Sequence, residues 1–176
     1  MGLDVSAYSQ MKKIDCLFNA DGEPVDPVTR ETIYDYVETD HAPHHPGRVN
    51  EFEDGACYAY GDSDELSAGG YGRYNDWRND LAKLAGYPLG QYKEDGTMRD
   101  SYCVACWNGA PGPFSELINF SDCEGVIGTK VSRKLAADFA AFQSAADNVG
   151  GCFAGKYAEW RRLFELASDA GCVRFS

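Results

Sequence analysis

Two amphipathic segments near the end of the chain, with little more than Val-Gly-Gly between them, narrow what this sequence can fold into. In TKVSRKLAADFAAFQSAADN, residues 129–148, Val131, Leu135, Phe139 and Phe142 recur at helical spacing and form one apolar stripe. In CFAGKYAEWRRLFELASDAG, residues 152–171, Tyr157, Trp160, Phe164 and Ala167 form another. The glycines at 150 and 151 leave room only for a tight reversal, so the pair is expected to form an antiparallel helical hairpin. Both stripes then need a partner surface, and the upstream chain must supply it.

The upstream chain has a different period. GLDVSAY alternates Leu3, Val5 and Ala7 with Asp4 and Ser6, which predicts a strand. KIDCLFN predicts a second, with Ile14, Cys16 and Phe18 on one face, and NADGEP supplies a turn after it. TIYDYVE, ACYAYG and ELSAGG read as three more short strands. Helical spacing returns with NDWRNDLAKLAG, where Trp77, Leu81, Leu84 and Ala85 share a face, Asn75 suits the N-cap and Gly86 the C-terminal cap. SYCVACW predicts a short strand, GPFSELINF a short helix with Pro113 in its first turn, and CVRF a closing strand. The expectation is an α+β fold. A small, mostly antiparallel sheet from the N-terminal half packs with helices that include the C-terminal hairpin. At 176 residues this suits a single domain, with an acidic β-rich part at 1–68 and a helix-rich part at 69–176.

Charge divides along the same line. Residues 1–68 carry 15 acidic and 4 basic residues, a balance of −11, whereas residues 69–176 carry 13 and 12, a balance of −1. Such a surface disfavours direct nucleic-acid binding, which needs basic patches against phosphates, and suits docking on a basic partner. Glu51, Glu53, Asp54, Asp62, Asp64 and Glu65 are the candidate interaction residues. The opening residues lack a basic segment followed by an apolar one, and the apolar runs fall short of a membrane span, so no membrane association and a cytoplasmic location are expected.

Four stretches carry possible chemistry. In ETDHAPHHPGR the chain's three histidines, His41, His44 and His45, cluster beside Glu38 and Asp40. The loop is broken by prolines and lacks the helical spacing that orients zinc ligands, so it reads as a connector and not a metal site. Neighbouring carboxylates are expected to raise the histidine pKa values there. Cys103-Val-Ala-Cys106 is a single C-x-x-C pair with no second pair at zinc spacing, and the seven cysteines read as reduced thiols. In ELSAGGYGRYNDW, Gly70 and Gly72 could present backbone N–H groups to an anion, Arg73 could clamp it and Tyr74 could stack on a base, without matching a known phosphate-loop pattern. In NFSDCEGVIG, Asp122 and Glu124 could form an acid–base pair, or simply a polar turn. No catalytic residue, metal or cofactor is assigned.

Several stretches taken together, MGLDVSAYS, HPGR ahead of EFEDGACYAY, AGGYGRYNDWRNDLAKLAGYP, GPFSELINFSDCEGVIG and KYAEWRRLFELASDAGCVRF, resemble a group of small proteins encoded by bacteriophages and prophages that carry no assigned activity. The resemblance spans most of the chain. It implies a phage setting within a bacterial host cell. Small acidic phage proteins are often inhibitors of host machinery, defence systems included. Two functions are therefore carried forward: an accessory protein whose acidic surface binds a basic host protein, and a small-ligand protein that binds or cleaves a nucleotide. Zinc binding is a weaker third.

Overall fold

The computed structural model describes residues 2–120 and 125–176. The central element is a four-stranded antiparallel sheet built from both ends of the chain. Its strands are β1 (Leu3–Ser9), β7 (Asp62–Gly69), β10 (Gly125–Ile127) and β11 (Cys172–Phe175), in the order β10-β11-β1-β7. The alternation read in GLDVSAY is present: Leu3, Val5, Ala7 and Ser9 are buried and Asp4 is exposed. Val5 pairs with Phe175 and with Leu66, so one face of three strands is continuous and apolar.

That face meets the helices. α1 (Tyr71–Leu84) follows β7 directly, and α4 (Thr129–Val149) and α5 (Gly151–Ala167) form the expected hairpin around Gly150, whose φ is +68°. Leu135, Phe139, Tyr157, Trp160, Phe164 and Ala167 are fully buried in one core with Val5, Ala7, Val173 and Phe175. Trp160 lies at its centre, stacked on Trp77 of α1 with ring centroids 4.7 Å apart.

The other face is half covered. A small sheet of order β2-β6-β5, formed by Lys12–Lys13, Ala56–Ala59 and Val37–Thr39, belongs to a second cluster. There Met11, Val37, Phe52 and Tyr58 close over Val126 of β10 and Cys172 of β11. Asp4 of β1 and Ser63, Glu65 and Ser67 of β7 remain exposed beside this cover. Two hairpins complete the molecule: β3 (Leu17–Phe18) with β4 (Pro24–Val25), and β8 (Gly90–Glu94) with β9 (Thr97–Ser101).

The α+β architecture holds, with corrections to individual elements. KIDCLFN is not one strand. Lys12 and Lys13 pair with β6, while Leu17 and Phe18 turn away into the small hairpin and are exposed. The side chain of Asn19 accepts the N–H groups of Asp21 and Glu23 there, a local turn that competes with strand continuation. In TIYDYVE only Val37 and Glu38 are strand, because Asp35 adopts φ +56° and breaks the extension. SYCVACW supplies strand only to Ser101, then a helical turn, α2 (Val104–Trp107). GPFSELINF forms α3 (Ser115–Ile118), with Pro113 just ahead of it. α1 begins four residues before Asn75, with Gly70 as N-cap, so Asn75 lies inside the helix.

Candidate functional site

The buried stripe of α1 runs through Tyr74, Trp77, Arg78, Leu81 and Ala82. One member of it is a cation. Arg78 is only 2% exposed. Its guanidinium donates to the carbonyl of Ile118 at 2.8 Å and to Asn75 Oδ1, and lies over the Tyr74 ring at 4.8 Å. Its Nε–H has no acceptor, and among the described residues no carboxylate pairs with it. Burying an unpaired charge costs several kcal/mol by itself, at order-of-magnitude level, so a native chain retains one only under strong constraint.

Asn75 lies three residues before Arg78, and Asn79 lies four residues after Asn75, so the two amides are neighbours on the helix surface beside the guanidinium. Both amide orientations are chemically fixed. Asn75 Oδ1 faces a guanidinium, which can only donate. Asn79 Oδ1 accepts the Ser101 hydroxyl at 3.0 Å and the backbone N–H of Tyr102 at 2.8 Å. Each oxygen is therefore consumed within the protein, and each NH2 group is left to donate. Asn75, Arg78 and Asn79 form one wall of an open cleft of about 820 Å³, to which Asn119 contributes after α3. Beside the exposed carboxylate of Asp76, this wall presents hydrogen-bond donors and one positive charge, which suit an oxyanion.

The β8–β9 hairpin forms the opposite wall. Its turn is Asp95-Gly96, with φ +49° and +81°, the mirror-image turn that suits strand twist. It seats closely on α2 through Gly90, where a Cβ would fall 2.8 Å from the side chain of Val104. Tyr92, Glu94, Arg99 and Asp100 of the hairpin line the cleft, with Trp107 of α2 at its side. Cys103 also borders it, but burial pushes its thiol up, against the opposing pull of Ser101 and Arg78, so it stays protonated at neutral pH. These surroundings do not activate that sulfur.

The residues singled out in the sequence are distributed as follows. Gly70 caps α1, and Gly72 lies in its first turn with open space around it. Arg73 is exposed and borders a separate groove of about 370 Å³ between α1 and α5, together with Lys156 and Trp77. Tyr74 is buried, its hydroxyl donating to the Phe120 carbonyl at 2.8 Å, and so serves the core. Asp122 and Glu124 lie outside the described residues.

The six acids do not form one patch. Glu51 accepts the Lys130 N–H at 2.8 Å at the start of α4, which suits the positive end of that helix. Glu53 pairs with Lys13, Asp54 accepts the His41 N–H at 2.7 Å, and Asp64 makes a forked pair with Arg162. Asp62 and Glu65 are exposed on the edge strand β7. The expectation of raised histidine pKa values fails at His45. Its ring packs on Phe120 at 5.1 Å, and burial, followed by the charge of Arg48, pushes its pKa down. His41 Nε2 is within 2.9 Å of the Phe52 carbonyl, tying the loop to the small sheet. Among the described residues no group of three His, Cys, Asp or Glu is placed to hold a metal, and no helix is long and apolar enough to cross a membrane.

Sequence reasoning passed over Arg78, Asn79, Asn119 and Trp107, and took Asn75 for a cap. The signal was a charge on the apolar stripe, Arg78 one residue after Trp77 and three before Leu81. Comparison of the chain with protein-family models, with curated proteins and with solved structures finds no match.

Proposed function

We propose that this is a small-ligand-binding protein whose α1 cleft takes an oxyanion, phosphate or carboxylate. The observation that carries the reading is Arg78: a buried guanidinium without a carboxylate partner among the described residues, at the wall of an open cleft. A bound anion would supply the missing charge and accept the free donors of Asn75 and Asn79. The volume of about 820 Å³ lies in the range of small-molecule sites.

Asn75→Asp tests this with two readouts of opposite sign. The substitution is nearly isosteric and gives Arg78 a carboxylate, so the free protein is expected to gain roughly 1 kcal/mol. The same carboxylate neutralises the wall and repels an anion. Wild-type protein is expected to show a saturable thermal shift with phosphate, beyond a chloride control of equal ionic strength, reaching about 2.7 kcal/mol at 100 times the dissociation constant. The variant is expected to show none. An undiminished shift in Asn75→Asp, or no saturable shift in the wild type, rejects the reading.

A second reading is docking of an acidic surface on a basic host protein, in the phage setting that the sequence resemblance implies. It is favoured by the uncovered half of the main sheet, where Asp4 and Glu65 are exposed on adjacent strands β1 and β7. Retention of a host protein in a pull-down should then fall with salt and with Asp4→Ser and Glu65→Ser together. Capture indifferent to both rules it out.

A further inference from the structure

We infer, resting on the oxyanion reading of the same cleft, that its occupant is a nucleoside monophosphate, with the phosphate on the Arg78 wall and the base against Trp107. Three features beyond the anion wall point there. The first is Trp107. Of the three tryptophans it alone is substantially exposed, at 38% against 8% for Trp77 and 0% for Trp160. The edge-to-face contact of its ring with Tyr92, at 5.1 Å, fixes the indole inside a polar cleft. A held, exposed indole is a stacking platform for a planar ring, and every base has such a face.

The second feature is the charge of the rim. Opposite the donor wall stand Glu94 and Asp100 of the hairpin, and Asp76 lies beside the donors on α1 itself. Arg99 offsets Glu94 at 2.7 Å, and Gln91 donates to Asp100 at 3.1 Å, but the cleft as a whole carries three carboxylates against two guanidinium groups. One phosphate suits this balance, because its charge is met by Arg78. Further phosphates would extend toward carboxylates of like charge. A base suits it too, since the amino group of adenine, guanine or cytosine and the ring N–H of guanine or uracil can donate to these carboxylates. The third feature is size: a bare anion fills little of about 820 Å³. The ligand thus needs an anionic end, a flat ring and outward donors, and a single phosphate on a nucleoside has all three.

Indole fluorescence and thermal shift of the whole protein test this with AMP, GMP, CMP and UMP, and with adenosine, ATP and inorganic phosphate as comparators. At least one monophosphate should quench the emission saturably and bind ten times more tightly than adenosine, ATP or inorganic phosphate. Trp107→Leu, at an exposed position, should abolish the quench and weaken that monophosphate at least tenfold, leaving the phosphate response within twofold. Asp100→Asn should bring ATP at least threefold closer to that monophosphate. If phosphate binds but no monophosphate exceeds it, or if ATP binds as tightly as the tightest monophosphate, the nucleotide assignment is overturned and the oxyanion reading stands. If phosphate and every monophosphate fail alike, both are overturned.

Discussion

Gly171→Ala is expected to cost roughly 4 kcal/mol or more, a large part of the ~5–15 kcal/mol that holds a domain of this size together. Gly171 is buried between the end of α5 and the start of β11. A Cβ there would fall 1.8 Å from the carbonyl oxygen of Tyr8 and 2.9 Å from Cα of Ser9, both backbone of β1. Neither side can yield. The Gly171 N–H donates to the Ala167 carbonyl at 3.2 Å, and its own carbonyl accepts the buried Thr129 hydroxyl at 2.8 Å. Across the contact, Gln10 and Met11 donate to Asp169 and Ala170 at 2.7 and 2.8 Å, and Tyr8 is in register with Cys172. A methyl group would therefore have to part the two central strands of the main sheet. Urea unfolding measures the effect, and a loss below ~1 kcal/mol would show that β1 and the α5–β11 junction are not so closely apposed. The open space around Gly72 supplies an internal contrast, since Gly72→Ala meets no atom and should not destabilise.

What could be read in the sequence follows from how local its cause is. The α4–α5 hairpin was legible because its two stripes and the turn glycines lie within a single stretch of chain. β1 was legible because alternation over seven residues survives in the fold as alternating burial. The segments that misled are those where a local turn overrides propensity: Asn19 capturing two backbone N–H groups after Phe18, and Asp35 at positive φ inside a run of β-formers. Strand order was not legible, since the pairing of β1 with β11 joins residues about as far apart as the chain allows. The cleft was hidden for the same reason. Its donor wall is local to α1, and Arg78 could have been flagged on the apolar stripe. Yet what makes Asn79 a donor is the carbonyl-like use of its oxygen by Ser101 and Tyr102, and what sets Trp107 opposite is a hairpin not expected between 90 and 101. The acidic excess was visible as a count, but a count does not say that Glu51 serves α4 or that Asp64 is held by Arg162.

Trp160→Ala is expected to cost about 3–5 kcal/mol, the range for emptying a fully buried aromatic site. Trp160 has no exposed surface and is ringed by other aromatic side chains: Trp77 stacked at 4.7 Å, Tyr74 at 5.7 Å, Phe175 at 5.9 Å and Phe164 at 6.2 Å. These come from α1, α5 and β11, so no single element can relax to fill the space. Trp160→Phe separates packing from polarity. The indole N–H of Trp160 has no acceptor, and phenylalanine removes that buried donor while keeping most of the ring. The relief of roughly 1–3 kcal/mol offsets part of the lost volume, so a net change within about 1 kcal/mol is expected. Chemical denaturation of the two variants side by side checks this, and equal losses would mean that the N–H is satisfied in solution. The consequence reaches the cleft. Tyr74 and Trp77, on which Trp160 packs, flank Asn75 and precede Arg78 on α1, so the rotation of that helix, and with it the direction of the donor wall, is set from within the core. Trp160→Ala should therefore weaken the phosphate response even at temperatures where the variant remains folded, whereas Trp160→Phe should retain it.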